Sequence, residues 1–276
     1  MKITEYPKTT SIAKDDVLVT DGPRGTKTIY GEDAPFAMFN SVKEMHGNII
    51  RGKNLGGMFT PEQATAISNG SFDNLWLGDY WTIGSNRFRI VDFDYYNSGA
   101  YTATPNHIVV MPDLPITNAA LGGSLVSGRM RGFYATAVRS NLNSTYTNTA
   151  RSLFSSSLRT RKELVSDEFR DIYNDDKIGA NHGVNVGDYY AMLPNEAALT
   201  GHLPRTASPK GYNGNCSTQW RQLRLFALGW GLGEANFWLE GQVWYRTFAC
   251  YIADTGYIGD FDYTVVSGIR PLYVVG

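Results

Sequence analysis

Asp92 and Asp94 stand two residues apart in an alternating apolar run, with Asp79 in the run before it, and carboxylates at that spacing fall on one face of a strand. Such a group can hold a cation or act as an acid/base pair on a glycosidic bond. Arg87 and Arg89 share the run, and mixed charges on a strand pair read more simply as an ion-paired sheet face. The histidines His46, His107, His182 and His202 are scattered, with no i, i+4 pair and no His-Glu-x-x-His, so zinc hydrolysis has no support. Gly52-Lys53 and Gly56-Gly57 lack the Walker spacing, a Ser/Thr after the lysine and a preceding strand, and read as turn glycines. No Gly-x-Ser-x-Gly elbow occurs. Cys216 and Cys250 are too few for a disulfide framework and have no metal-ligand spacing. Cys250 alternates with Phe248 and Ile252 and reads as a reduced core thiol, although a single bridge remains open. The expectation is no catalysis, no metal and no cofactor.

The other chemistry is aromatic. Trp220, Trp230, Trp238, Trp244, Tyr245, Tyr251, Tyr257, Phe261 and Tyr263 crowd the final quarter, interleaved with Arg246, Asp254, Asp260 and Asp262. A core absorbs about half of such residues, since Trp and Tyr are well buried on average but rarely fully. The remainder, beside carboxylates and Arg, offer flat apolar faces with polar tips, which suit a saccharide, a protein or another copy of the chain.

These side chains need a scaffold, and the patterning describes an α+β one with helices grouped in the middle and an antiparallel meander at the end. Ile12 to Gly22 and Gly25 to Ile29 read as two short strands around an Asp-Gly-Pro-Arg-Gly turn, a hairpin too small to stand alone. Thr60-Pro61-Glu62-Gln63 is a helix start with a capping box, with Ala64 and Ile67 as its apolar stripe. Leu75 to Ile83 and Arg87 to Tyr95 alternate around Gly84-Ser85, with Leu75, Leu77, Trp81, Phe88 and Ile90 facing inward, and His107 to Met111 is a buried strand. Met130, Phe133, Tyr134, Ala137 and Val138, then Leu142, Tyr146, Ala150, Leu153 and Phe154, fall at helical spacing, giving two helices or one broken near Asn143. A short helix follows Asn195 and closes at Gly201, and a Gly/Asn-rich loop covers Pro209 to Asn215. Asn236 to Leu239, Arg246 to Ala253, Tyr257 to Phe261 and Ile269 to Val275 read as strands, and Pro271, which cannot donate, confines the last to a sheet edge or to the start of a pairing, with Gly268 allowing a sharp bend into it. With 18% charged residues, 17 Tyr and 29 Gly, the balance suits a strand-rich surface protein. A net charge of -1 supplies no electrostatic footprint for nucleic acid, and no polybasic membrane patch or membrane-length apolar stretch is present. Met1-Lys2-Ile3-Thr4-Glu5 lacks a signal peptide's apolar region, which implies synthesis in a cytoplasm.

Several runs carry a resemblance. Arg51-Gly52-Lys53-Asn54-Leu55-Gly56, Gly70 to Ile83, Phe88 to Tyr95, His107 to Asp113, Met192-Leu193-Pro194-Asn195-Glu196 and the closing Gly268-Ile269-Arg270-Pro271 together resemble virion proteins of phages infecting gut Firmicutes, which carry a C-type-lectin-like domain. The resemblance implies an amino-terminal virion-attachment segment over residues 1–43 and a lectin-like domain over 44–276. It implies a structural protein of the virion, either a head fibre or capsid decoration or a tail receptor-binding protein, made in the host cytoplasm and displaying the domain for host-surface binding. Its partners would be other virion proteins through the amino-terminal segment and a glycan or protein of the host surface, with a homotrimer supplying avidity. By likeness to phage tropism proteins, Trp244, Tyr245, Arg246, Tyr257, Asp260 and Tyr263 would form the ligand-binding surface. The lectin calcium signatures and the paired cysteines of formylglycine-generating enzymes are missing. An enzyme acting on cell-wall glycan through Asp92 and Asp94, or a bacterial surface adhesin, is the alternative.

Overall fold

The computed structural model describes residues 17–22, 25–30, 33–96, 105–122, 125–126, 129–130, 133, 136–166, 184–201, 221–232, 235–242, 248–253, 255 and 257–276. In chain order the elements are β1 (Val17–Gly22), β2 (Gly25–Tyr30), α1 (Ala34–Phe39), α2 (Lys43–His46), α3 (Pro61–Ser68), β3 (Tyr80–Ile83), β4 (Asn86–Phe93), β5 (Ile108–Pro112), β6 (Thr117–Ala120), β7 (Leu125–Val126), β8 (Arg129–Met130), α4 (Ala137–Leu142) and α5 (Asn148–Phe154). They continue with β9 (Leu158–Arg159), β10 (Arg161–Ser166), β11 (Val184–Tyr189), β12 (Ala191–Met192), α6 (Glu196–Thr200), α7 (Arg224–Ala227), β13 (Phe237–Gln242), β14 (Phe248–Ile252), β15 (Ile258–Asp262), β16 (Val266–Ile269) and β17 (Leu272–Val275). The class is α+β, as the patterning predicts.

Two larger sheets frame the molecule. The first has six strands in the order β12-β17-β5-β4-β3, with β9 also pairing β17, and the second has five in the order β15-β14-β13-β16-β6. All pairs in both are antiparallel except β13 with β16, which run parallel through Phe237 and Gly268. The expected closing meander is therefore β13 to β15 only, and the chain then crosses over so that β16 pairs with the other side of β13.

Several local signals act as their chemistry dictates. The β1/β2 hairpin pairs from Val17–Tyr30 to Gly22–Gly25. Thr60 caps α3 with a complete capping box, accepting from the Gln63 N–H while the Gln63 side chain accepts from the Thr60 N–H. Ile67 is buried in α3 as expected, with Ala66 beside it, whereas Ala64 is only half-buried. Leu75, Leu77, Trp81, Phe88 and Ile90 are buried in the core around β3 and β4. Asn195 caps α6, and Gly201 ends it in the left-handed conformation.

Three expectations are corrected. The expected helix from Met130 is not seen at the described ends of that run: Met130 belongs to the two-residue strand β8, and α4 begins at Ala137, where Thr136 supplies the cap. Residues spaced at 3.6 also satisfy a short strand followed by a capped helix, and the cap decides. Ile269 to Val275 is not one strand. Arg270-Pro271 divides it, so β16 completes the five-stranded sheet while β17 enters the middle of the other. Gly268 lies within β16 and does not make a bend: a Cβ there would come within 2.5 Å of the Asn236 carbonyl and of Pro115, so its bareness lets β13 and the Pro115 loop approach.

Residues 33–46 pack onto the main body. Phe36 meets Trp76 edge-on with centroids 5.0 Å apart, and the Asn40 side chain accepts from the Asn74 N–H at 2.7 Å. His46, buried, stacks on Trp76 at 4.3 Å and places its ring nitrogens 2.5 Å from the Leu75 carbonyl and 2.9 Å from that of Asn40. This histidine is an anchor for α2. Among the described residues no helix is long and apolar enough to cross a membrane.

Candidate functional site

An aromatic row on the outer strand of the five-stranded sheet is the most developed surface feature. β14 and β15 pair with Tyr251 opposite Gly259 and Ala249 opposite Phe261. Alternation along antiparallel strands puts 249, 251, 257, 259 and 261 on one face. The Tyr251 ring lies flat across β15 and stacks on Phe261, centroids 4.1 Å apart and planes 18° apart. Gly259 makes that geometry attainable, because a Cβ there would sit 2.7 Å from Tyr251 Cε1. From the inner side Trp238, fully buried, meets Tyr251 edge-to-face at 6.5 Å, and its indole N–H donates to the Ala119 carbonyl at 2.9 Å. Burial thus falls outward from Trp238 through half-buried Tyr251 to Phe261 at 39% exposure and Tyr257 at 63%. The result is a preformed apolar platform with phenol tips, held by packing from within.

The structure distributes the sequence-predicted residues unevenly. Tyr257 immediately precedes β15, exposed and at the parity of Gly259 and Phe261. Asp260 occupies a β15 position opposite Cys250, of opposite parity to Tyr257 and Phe261. Tyr263 starts the turn after β15 and packs half-buried against the core. Trp244, Tyr245 and Arg246 lie outside the described residues, as do Cys216, His182, His202 and the loop at 209–215. Tyr251 and Phe261 carry the stack, and in the sequence they stand out only as part of the aromatic crowd. The spacing Tyr257-x-Gly259-x-Phe261, a glycine between two aromatics at strand period, is the signal that finds them.

The carboxylates Asp79, Asp92 and Asp94 do not share one site. Each has its own partners. Asp79, fully buried, accepts from Arg51 Nε at 3.0 Å and Nη2 at 2.6 Å and from the backbone N–H groups of Lys53 and Trp76 at 2.9 and 2.8 Å. Asp92, also buried, accepts from the N–H groups of Phe93 and Arg224 and pairs with the guanidinium groups of Arg221 at 3.2 Å and Arg224 at 3.4 Å. Asp94 has left the strand conformation, with φ of 50°, and pairs with Lys43 at 3.1 Å. The ion pairing is as expected, but its partners are not the expected arginines: Arg89 pairs with Asp113 at 2.5 Å and Arg87 lies over the Tyr80 ring at 4.9 Å. Among the described residues no group of His, Cys, Asp and Glu is arranged to hold a metal ion.

Burial raises the pKa of Asp92, against the opposing pull of Arg221, Arg224 and two N–H groups. Burial likewise raises that of Asp79 against Arg51. A carboxyl whose folded pKa exceeds its unfolded value binds its proton more tightly when folded, so its contribution to stability is largest below the ordinary value of 3.8 and declines as pH rises through the folded pKa. Asp92→Asn cannot ionise. Its unfolding free energy should therefore fall less than that of the parent between pH about 4 and about 7, in urea titrations at each pH. Parallel slopes would show that burial does not set the titration of Asp92.

No family model, no curated protein and no solved structure matches this chain. Fold and surface therefore define its class on their own terms, as an α+β protein with a rigid aromatic platform on an outer strand.

Proposed function

We propose that this chain is a non-enzymatic structural protein of a phage virion that displays a C-type-lectin-like domain for host-surface binding, as a head fibre, a capsid decoration or a tail receptor-binding protein. The observation that carries the reading is the Tyr251–Phe261 stack across the two outer strands, with exposed Tyr257 just before β15. Flat rings held rigid from within lose little entropy on contact, and such anchors dominate recognition of saccharides and proteins. The β1/β2 hairpin, too small to be a domain, suits attachment to the particle, and a homotrimer would multiply weak contacts into useful avidity. The engagement of Asp92 and Asp94 favours display over glycan hydrolysis: buried Asp92 has both oxygens taken by the Phe93 and Arg224 N–H groups and by Arg221, and Asp94 accepts from the His107 N–H and pairs with Lys43.

Tyr257→Ala combined with Phe261→Ala should weaken adsorption of the labelled protein to host cells or wall glycan by about tenfold or more while leaving the thermal midpoint within a few degrees. Gly259→Ala, which displaces the Tyr251 ring, should lower binding in the same direction. Unchanged adsorption in both variants would remove the platform as the contact surface. Immunogold labelling of intact particles tests the location, and unlabelled particles would end the virion reading.

A further inference from the structure

We infer that His46 holds a proton on each ring nitrogen, and that the second proton latches residues 33–46 to the body of the fold in a contact that loosens when it is lost. The ring is fully buried at the end of α2. Its Nδ1 lies 2.5 Å from the Leu75 carbonyl oxygen and its Nε2 2.9 Å from that of Asn40. A carbonyl oxygen can only accept, and a neutral imidazole has a single N–H, so one of these contacts would set a bare nitrogen against an oxygen. Turning the ring over puts C–H groups at both oxygens and satisfies neither. Only the imidazolium donates to both.

The surroundings suit a cation. The Trp76 indole stacks on the ring at 4.3 Å, within reach of a cation–π contact, and the Phe72 and Phe93 rings stand at 6.4 and 6.3 Å. Asn40 ends α1, where helix carbonyls lack partners and the helix dipole favours positive charge. The charged groups on the elements packed around the ring are engaged elsewhere or exposed: Asp79 with Arg51, Asp92 with Arg221 and Arg224, Asp94 with Lys43, Asp73 with the Asn40 side chain, and Glu44 in solvent. Arg224 lies against Gly47 and is paired with Asp92. Among the described residues no carboxylate lies within ion-pair distance of His46, so two carbonyl oxygens and an indole face hold the proton. The two oxygens belong to different parts of the molecule, Asn40 to the amino-terminal segment and Leu75 to the body. Loss of the proton sets the Nε2 lone pair against the Asn40 carbonyl and leaves a buried acceptor unpaired at the joint of α1 and α2. The other contacts of the segment, Phe36 on Trp76 and the Asn40 side chain on the Asn74 N–H, involve the same tryptophan and the same asparagine and loosen with it.

This inference does not rest on the proposed function, because it uses other residues and another part of the fold. Imidazole nitrogen NMR of the full chain at pH about 7 reads the charge state directly: both His46 nitrogens should resonate as protonated, whereas an ordinary histidine, titrating near about 6.5, is mostly neutral there. The folded chain then holds a proton that the unfolded chain has released, so the support it gives is complete below the ordinary histidine value and is lost as pH rises beyond it. Amide exchange of residues 34–46, corrected for the intrinsic effect of pH and measured against the amides of β4 and β5, should speed up at least about tenfold from pH about 6 to pH about 9. His46→Gln, which does not titrate, should exchange faster in this segment at both pH values, with little change between them. One bare nitrogen on His46 at pH about 7, exchange that ignores pH, or an equal pH response in His46→Gln would each overturn the inference. The resonance measurement needs no substitution and decides the charge state even where the variant does not fold.

Discussion

A chain stopped at Pro271 should show no cooperative unfolding transition. β17 is an inner strand, paired with β5 on one side and with β12 and β9 on the other, so its loss splits the six-stranded sheet. Leu272, Tyr273, Val274 and Val275 are all buried. At about 1.5–3 kcal/mol for each large apolar side chain, their removal forfeits roughly 6–12 kcal/mol, which is comparable to the whole stability of a typical domain. Further losses add to that figure. The Tyr273 hydroxyl donates to the Tyr146 carbonyl at 2.7 Å, and its ring tilts against Phe88 at 6.1 Å, so the gap would reach both α5's approach and β4. The Gly276 N–H donates to the Ser157 carbonyl at 2.8 Å and would be lost as well. Calorimetry should find a broad, low-enthalpy trace, and a hydrophobic dye should bind the truncated chain at room temperature. A sharp transition within a few degrees of the full chain would mean that β17 is not structural.

The same strand shows where the amino-acid sequence was legible. Its apolar run marks a buried strand, and of the two places that the proline allows, a sheet edge or the start of a pairing, β17 takes the second, since pairing begins at Leu272 and the strand lies inside its sheet. They did not reveal that Ser267 to Ile269 belongs to another sheet, because the parallel pairing of Gly268 with Phe237 joins segments about thirty residues apart and leaves no local trace. Turn and cap chemistry acts over a few residues, so the β1/β2 hairpin, the Thr60 capping box and the Gly201 helix end could be read directly. Side-chain partnerships could not. The N–H of Arg224 reaches Asp92 from 132 positions away, and the nearer arginines that spacing suggested go elsewhere. The candidate site follows that division. Tyr257 was identifiable as an aromatic near carboxylates in a strand, whereas the Tyr251–Phe261 stack depends on the β14/β15 register and on the missing Cβ of Gly259, and neither is visible until the two strands are paired.

Asp79→Ala should be among the most destabilising single substitutions in the chain, at about 3–5 kcal/mol. The carboxylate holds two otherwise loosely joined segments together. Residues 50–54 run beside 77–80 through two isolated parallel bridges, Ile50 with Leu77 and Asn54 with Tyr80, where short backbone bonds alternate: Arg51 N–H to the Leu77 carbonyl at 2.9 Å and Tyr80 N–H to the Lys53 carbonyl at 3.0 Å. Asp79 sits between those bridges and gathers Arg51, the Lys53 N–H and the Trp76 N–H onto its two oxygens. Alanine leaves two backbone donors and a guanidinium group without their acceptor, and the Arg51 side chain is only 9% exposed, so water cannot fully replace what is lost. Asn at the same position keeps one acceptor oxygen and the shape, and should cost less than Ala. Replacing both partners, Asp79→Leu with Arg51→Met, should recover part of the loss, because no buried charge is then left alone. Urea titrations of the three variants measure these differences, and the midpoint of thermal unfolding should fall by roughly 10 °C for Asp79→Ala. A loss below about 1 kcal/mol would show that the segment at 50–54 is held by its backbone bridges alone.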